Sequence, residues 1–133
     1  MTAHIERHNP DGVWKGRTAL YNHCVRVTNA TTTLYIAGQL ARDEHGQTVG
    51  VGDIRAQTAK VIENIRTILE DAGSSLEKVV DVTVFLTDIG RDFAAYNRVY
   101  AEYFESIRPA RTTVGVSGLP GPISVELKVI AEG

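Results

Sequence analysis

The stretch that most constrains the fold is residues 108–131, RPARTTVGVSGLPGPISVELKVIA, near the end of the sequence. Runs of Val, Thr and Ile flank a central GLPGP segment at 118–122. Such β-branched runs favour strands, and Pro and Gly between them are typical of a chain reversal. The pattern therefore predicts a β-hairpin with its turn centred on Leu119 and Pro120.

The predicted hairpin brings two side chains of opposite charge together. With this turn Arg111 lies opposite Lys128, and Glu126 becomes its diagonal neighbour on the same face, because side chains alternate along a strand. The other face is apolar and is formed by Val114, Val116, Val125, Leu127 and Val129. We expect Arg111 and Glu126 to form a small-anion site with a carboxylate base beside it. The alternative is a structural ion pair between the two.

The first third of the chain predicts two short strands. Residues 1–20 are polar and are expected to form an irregular lead-in. Residues 21–27 and 33–38 are rich in β-forming side chains, and we expect the segment 28–30 to join them as a hairpin.

The middle of the chain predicts two helices around one strand. Asp53 is a good N-cap for a helix with apolar residues at 3.6-residue spacing, and Gly73 supplies its C-terminal stop. Residues 79–87 predict a strand, and residues 93–104 predict a second helix with an aromatic stripe. The order ββαβαββ implies an α+β fold in which a mixed β-sheet carries two helices packed on one face. The opposite face, with the charged pair, can meet water or another copy of the chain.

Composition and charge are those of a single-domain globular protein. With 133 residues the chain is expected to form one domain over 1–133, large enough to bury a core. No apolar run approaches the roughly 18 residues of a membrane span, and the N-terminus lacks the apolar core of a signal peptide. A formal charge of −2 gives no basic footprint for nucleic acid. A single cysteine, Cys24, excludes an internal disulfide and suits the cytoplasm, which is the expected location.

Several blocks of the sequence carry a family resemblance. They are LYIAGQ at 34–39, DIRAQT at 53–58, TVFLTD at 83–88, YNRVY at 96–100, PARTTV at 109–114 and VEL at 125–127. Together they resemble the reactive intermediate deaminase family (Rid, YjgF-like) over most of the chain. The resemblance implies a chorismate-mutase-like fold assembled as a homotrimer, with sites at the subunit boundaries. Deaminating members bind the substrate carboxylate with the arginine and a water with the glutamate, which implies these catalytic roles for Arg111 and Glu126.

The resemblance also implies substrate-binding roles for five further residues. Tyr21 aligns with a pocket tyrosine, Asn97 with an asparagine of the second helix, and Gly38 with a glycine whose N–H lies near the substrate carboxylate. Each has a structural alternative: a strand-edge aromatic for Tyr21, a backbone cap or cross-link for Asn97, and a bulge or close backbone approach for Gly38. Ala37 stands where deaminating members usually have serine, and Thr113 where several have cysteine.

The activity implied is hydrolysis of small carboxylate-bearing enamines, of the 2-aminoacrylate type, to 2-oxo acids and ammonia. The enamine tautomerises to an imine, water attacks the imine carbon, and the carbinolamine collapses, so no cofactor is expected. Two alternatives stay open: deamination of a catabolic, aminomuconate-like dienamine, suggested by Ala37 and by Asn22-His23, and a non-catalytic regulatory trimer that binds 2-oxo acids. RNA cleavage, attributed to some relatives, is disfavoured by the acidic charge balance.

The other chemically active side chains are expected to be structural. The four histidines, His4, His8, His23 and His45, lack metal-ligand spacing, so no metal site is expected. His23 is either a second acid or base of the pocket or a hydrogen-bonded strand histidine, and we favour the latter. Cys24 is expected to be a packed thiol in an apolar strand.

Overall fold

The computed structural model describes residues 3–14 and 20–133 of the chain. Its strands are β1 (His4–His8), β2 (Cys24–Thr28), β3 (Thr33–Gln39), β4 (Val79–Leu86), β5 (Ala110–Gly115) and β6 (Val125–Glu132). The helices are α1 (Ile54–Asp71), which follows β3, and α2 (Ile89–Phe104), which follows β4, with a 3₁₀ turn at Leu76–Lys78.

Four strands form the main sheet, in the order β3-β6-β4-β5. β4 runs parallel to β5, and β6 runs antiparallel to both of its neighbours, so the sheet is mixed as predicted. The predicted hairpin between the last two strands is wrong, because β4 lies between β5 and β6. Helix α2 returns the chain so that β5 pairs in parallel with β4, as a strand–helix–strand crossover allows. The Pro- and Gly-rich segment then crosses the end of β4, where Val116 N donates to Leu86 O and Thr87 N donates to Ser124 O.

The core lies between the helices and one face of the main sheet. Val82, Val84 and Leu86 of β4 are fully buried there, as are Leu127 and Val129 of β6. The fully buried helix residues of the same cluster are Val61, Ile62, Ile65, Leu69, Tyr96, Tyr100 and Phe104. Both helices therefore pack on one face of the sheet, which confirms the predicted α+β arrangement.

The ends of the helices follow local capping signals. The Asp53 carboxylate accepts hydrogen bonds from two backbone N–H groups in the first turn of α1, and Gly73, with φ of 79°, follows the last turn. Both predictions are confirmed. α2 begins at Ile89, one turn before the predicted start, because the Asp88 carboxylate accepts from Arg91 N. Neither helix within the described ranges is long and apolar enough to cross a membrane.

The first two strands form a separate ribbon in which β1 pairs antiparallel with β2. Two predictions are therefore wrong: residues 4–8 are a strand rather than irregular, and β2 pairs with β1 rather than with β3. Asn22 explains the placement, because its amide group donates to Arg108 O at 2.6 Å and accepts from Asn9. These bonds tie the base of the ribbon to the segment before β5. Parts of the predicted lead-in, residues 1–2 and 15–19, lie outside the described residues.

Candidate functional site

The main sheet places Arg111 and Glu126 on opposite faces. Arg111 is in register with Val82, whose side chain is buried under the helices. Glu126 is in register with Phe85, and it alternates along β6 with residues that are buried on the helix side. Residues paired across adjacent strands point to the same face. The predicted same-face pair is therefore wrong, because β4 lies between the two strands and pairs Arg111 with Val82 and Glu126 with Phe85, whose side chains point to opposite faces.

Helix α2 holds the guanidinium of Arg111 from the helix side of the sheet. Arg111 Nη1 donates to Asn97 Oδ1 at 2.7 Å and to the Tyr96 hydroxyl at 3.2 Å. The guanidinium carbon lies 4.6 Å from the ring centroid of Tyr100, a distance at which a cation is attracted to an aromatic face. Asn97, which the resemblance implied as a ligand residue, thus contacts the arginine directly. The structural alternative of an ion pair with Glu126 does not hold for this arginine.

Tyr96 accepts its hydrogen bond from Arg111 in the core, next to Thr113. Tyr96 is fully buried, and burial raises the pKa of its hydroxyl, while the charge of Arg111 and hydrogen bonds with Thr113 and Arg111 act in the opposite direction. With its pKa above the usual tyrosine value, the hydroxyl stays neutral at physiological pH and accepts from Arg111. We refer to Arg111, Asn97, Thr113, Tyr96 and Tyr100 as the arginine cluster.

One edge of the Arg111 guanidinium remains available. The Arg111 side chain is half-buried, and it donates both of its hydrogen bonds through Nη1. Among residues 3–14 and 20–133, Arg111 makes no hydrogen bond through Nε or Nη2. These two atoms carry parallel N–H groups that match the two oxygens of a carboxylate. The arginine cluster is therefore built to bind a planar anion.

Glu126 lies over a glycine at a bulge on the other face. The register between β3 and β6 shifts between Ile36 and Gln39, which places Gly38 inside the bulge. A Cβ atom at Gly38 would lie 2.8 Å from Glu126 Oε2, closer than real contacts allow. The predicted structural role of Gly38, a bulge with a close approach, is thus confirmed, and its role toward a ligand stays a prediction. Ala37, beside it, is exposed.

A lysine also belongs to this second group. Lys128 Nζ donates to Ile36 O at 3.0 Å, next to the bulge, and Lys128 shares the open face with Glu126 because it lies two residues further along β6. We refer to Ala37, Gly38, Glu126 and Lys128 as the glutamate cluster. It has one acidic side chain, which can accept a proton from a water, and one nearby cation.

Gly38 also lines a groove of about 640 Å³ that runs from the end of β3 to α1. Lys60 and Asn64 lie along the helix side of this groove, and Asn64 donates to the carbonyl oxygens of Leu40 and Arg42. In the part of the chain that the structure describes, no group of three or more His, Cys, Asp or Glu side chains could hold a metal ion.

Three residues singled out from the sequence lie elsewhere. The Tyr21 ring packs edge-on against His23 with centroids 5.5 Å apart. Within residues 3–14 and 20–133, Tyr21 makes no hydrogen bond or ring contact with Arg111 or Glu126. His23 Nε2 lies 2.9 Å from Trp14 O, which is the favoured structural role. Cys24 is exposed, so the prediction of a packed thiol is wrong. The reason is that β2 belongs to a two-stranded ribbon, which buries little of either strand.

The roles of Tyr96 and Tyr100 were not predicted from the sequence, where both residues counted only as members of the aromatic stripe of the second helix. A signal was available: a buried stripe that has tyrosine where phenylalanine would pack equally well carries hydroxyl groups that need partners. Lys128 was placed opposite Arg111, and the structure instead puts it beside Glu126.

Known proteins resemble this chain over most of its length. Residues 16–133 match the family model described as Endoribonuclease L-PSP. A RutC family protein of Pyrococcus abyssi is 46% identical over 111 residues, which cover 84% of this chain and 84% of the relative.

Solved structures of related proteins also resemble this chain over most of its length. YyfB of Yersinia pestis, described as a protein of unknown function of the conserved Rid family, is 27% identical with a TM-score of 0.86, over 97% of this chain and 98% of that one. Escherichia coli TdcF, solved with bound serine, is 29% identical with a TM-score of 0.70, over 80% and 84% of the two chains. Because the family model and these relatives each match most of the chain, this protein belongs to the Rid (YjgF-like) family.

Proposed function

We propose that this protein is an enamine/imine deaminase that hydrolyses small carboxylate-bearing enamines of the 2-aminoacrylate type to 2-oxo acids and ammonia. The observation that carries the proposal is the geometry of Arg111, whose guanidinium is held by α2 with its Nε and Nη2 atoms left for a ligand. A charge-assisted pair of hydrogen bonds to this edge anchors the substrate carboxylate.

Glu126 supplies the base that the reaction needs. Once the bound enamine has taken up a proton at carbon, the resulting protonated imine has an electrophilic carbon that a water can attack. Glu126 accepts a proton from that water as the new C–O bond forms, and a carbinolamine results. Returning this proton to the nitrogen lets the C–N bond break while Glu126 takes the hydroxyl proton, so that ammonia and a 2-oxo acid leave and Glu126 gives its proton back to the solvent. The steps balance without a redox partner.

The two clusters lie on opposite faces of one sheet, so one chain cannot hold a single small substrate between them. We propose that neighbouring copies complete each site, with the arginine cluster of one copy against the glutamate cluster of the next, in a homotrimer. The open face of the sheet supports such contact, because Tyr35 is 72% exposed and Val114 is 38% exposed there. A trimer would scatter light as a particle of about three times 14.5 kDa.

The relatives support a small ligand. TdcF has been solved with bound serine, a small molecule that carries a carboxylate, which is the group that we expect Arg111 to bind. Binding without turnover is therefore the second candidate function, and an aminomuconate-like dienamine is the alternative substrate. The family model is described as an endoribonuclease, but a formal charge of −2 offers little attraction to an RNA backbone.

The first test measures ammonia release from freshly generated 2-aminoacrylate, above the uncatalysed rate, with the dienamine assayed alongside.

Arg111→Ala should lower kcat/KM on the order of 10- to 100-fold, and Arg111→Lys should lower it less, because lysine keeps the charge but loses the fork. Arg55→Ala is the matched control, because Arg55 is exposed on α1. Unchanged kinetics in a folded Arg111→Ala variant would contradict the role of this arginine. Pyruvate binding without ammonia release would select the second candidate.

A mixing experiment tests whether the site is shared. Co-expression of Arg111→Ala with Glu126→Gln should restore activity, because an interface that takes its arginine from one variant and its glutamate from the other is intact. Random assembly makes about a quarter of the interfaces intact, since each side comes from the required variant half of the time. No recovery in a mixed oligomer would contradict the shared site.

A further inference from the structure

Two successive residues of α2 bind the same nitrogen of Arg111. Asn97 Oδ1 accepts from Nη1 at 2.7 Å, and the Tyr96 hydroxyl accepts from Nη1 at 3.2 Å. A guanidinium Nη atom carries only two hydrogens, so these bonds use both of them. A carboxylate that binds this arginine with two hydrogen bonds therefore meets Nε and Nη2 rather than the Nη1–Nη2 end.

We propose that Tyr96 is a positioning residue, which locks the Arg111 guanidinium so that a substrate carboxylate is bound side-on through Nε and Nη2. This inference rests on the proposed function, since it concerns how the same arginine presents itself to the carboxylate. Tyr96 does not touch the substrate and acts through Arg111.

The position of the Tyr96 hydroxyl is set by packing. Tyr96 is fully buried in the core, and Thr113 lies close enough to its hydroxyl to lower its pKa. Asn97, in contrast, is only half-buried, so its amide has freedom to follow the arginine. Tyr100 covers one face of the guanidinium at 4.6 Å, which opposes tilting. Tyr96 is thus the fixed hydrogen-bond acceptor that sets the rotation of the guanidinium in its plane.

The test substitutes phenylalanine for Tyr96 and measures both binding and catalysis. Tyr96→Phe keeps the ring and removes the acceptor, so we expect KM for 2-aminoacrylate and Kd for pyruvate to rise roughly 3- to 10-fold. kcat should stay within about twofold, because the lost orientation affects substrate and transition state alike. Tyr103→Phe is the matched control, because it removes a tyrosine hydroxyl from the same helix. The Tyr103 hydroxyl donates to Glu63 and not to the arginine cluster. This control should leave both constants unchanged.

A second readout follows Arg111 itself and does not depend on activity. Relaxation of the Arg111 Nε–Hε group, measured by NMR and assigned with Arg111→Lys, should show a rigid side chain in the wild-type protein and a more mobile one in Tyr96→Phe. Titration with pyruvate should shift this Nε–Hε signal strongly, since side-on binding uses that hydrogen. If Tyr96→Phe does not fold, Thr113→Val removes the neighbouring hydroxyl that acts on Tyr96 from β5, and it should have a smaller effect in the same direction.

The outcomes separate the inference from the proposed function. A rigid Arg111 and unchanged affinities in folded Tyr96→Phe would overturn the positioning role. Pyruvate binding that leaves Nε–Hε unshifted would overturn side-on binding. If the wild-type protein neither binds pyruvate nor releases ammonia, while Arg111 is rigid and loosens in Tyr96→Phe, the proposed function fails and the positioning role stands.

Discussion

The arginine cluster and the glutamate cluster are built by different means. Arg111 is held by side chains from α2, with two hydrogen bonds on one nitrogen and an aromatic ring against its face. Glu126 instead lies over bare backbone at Gly38, in a strand bulge on the open face. A residue that binds an anion must be oriented in advance, because the cost of ordering it would otherwise reduce affinity. A base that meets its water only in a completed interface can remain less enclosed in the single chain.

Glu126→Gln should have the largest effect, because it should lower catalysis at the glutamate cluster while ligand binding at the arginine cluster persists. An amide cannot accept the proton of the attacking water, so kcat should fall by about 100-fold, the lower end for a general base, because an imine is already reactive. Because Arg111 lies on the opposite face of its own chain, pyruvate affinity should persist. Ammonia release and calorimetry on the same sample provide the measurement. A joint loss of affinity and melting temperature would mean that the two clusters are one structural unit.

Local signals predicted much of the fold. The N-cap at Asp53 and the stop at Gly73 depend only on neighbouring residues, and both were predicted correctly. Strand order could not be predicted in the same way, because the partner of β5 is set by the crossover through α2 and not by the nearest turn. The Pro- and Gly-rich segment indicated a reversal correctly, but nothing local shows which strand lies between its two ends.

The placement of the site depended on that same strand order. Alternation along β5 requires Arg111 and Thr113 to share a face and Val114 to take the other. It does not say which of the two faces the helices, and the apolar Val114 suggested the wrong one. In the structure Val114 is 38% exposed on the open face, while Arg111 and Thr113 meet Tyr96 under α2. Charge on a strand is thus a weak guide to its face when a neighbouring helix offers partners.

Gly38→Ala tests the close approach of Glu126 to the strand bulge. The new Cβ would lie 2.8 Å from Oε2 and 2.9 Å from Cδ of Glu126, so the flexible end of that side chain must move. Because a side-chain tip yields more easily than backbone, the free energy of unfolding should fall by less than about 1.5 kcal/mol. Displacing the base should still lower kcat by roughly 10-fold.

Gly118→Ala is the matched control for this substitution, since a Cβ at Gly118 meets no atom within 4 Å. Thermal unfolding and ammonia release should both stay near wild type in the control. A Gly38→Ala protein with wild-type kcat would show that the close approach to Glu126 is structural only.

Tyr100→Phe gives the smallest expected effect and tests how the arginine cluster is built. Tyr96 and Tyr100 are both fully buried in α2, but only the Tyr100 hydroxyl lacks a hydrogen-bond partner among the described residues. Burial also raises the pKa of Tyr100 far above the usual tyrosine value and outweighs the opposing effect of the Arg111 charge, so the hydroxyl stays neutral. Removing a buried, unbonded hydroxyl should raise the free energy of unfolding by about 1 kcal/mol.

Chemical denaturation of Tyr100→Phe beside Tyr96→Phe provides the comparison. Tyr96→Phe strips a partner from Arg111 and should be destabilised by about 1 kcal/mol, so the same chemical change has opposite signs one helical turn apart. The ring of Tyr100→Phe still covers the guanidinium, so the sign difference comes from the hydroxyls and not from the aromatic contact. Destabilisation of Tyr100→Phe would show that its hydroxyl has a hydrogen-bond partner in the folded protein, and the proposed difference between the two tyrosines would then be wrong.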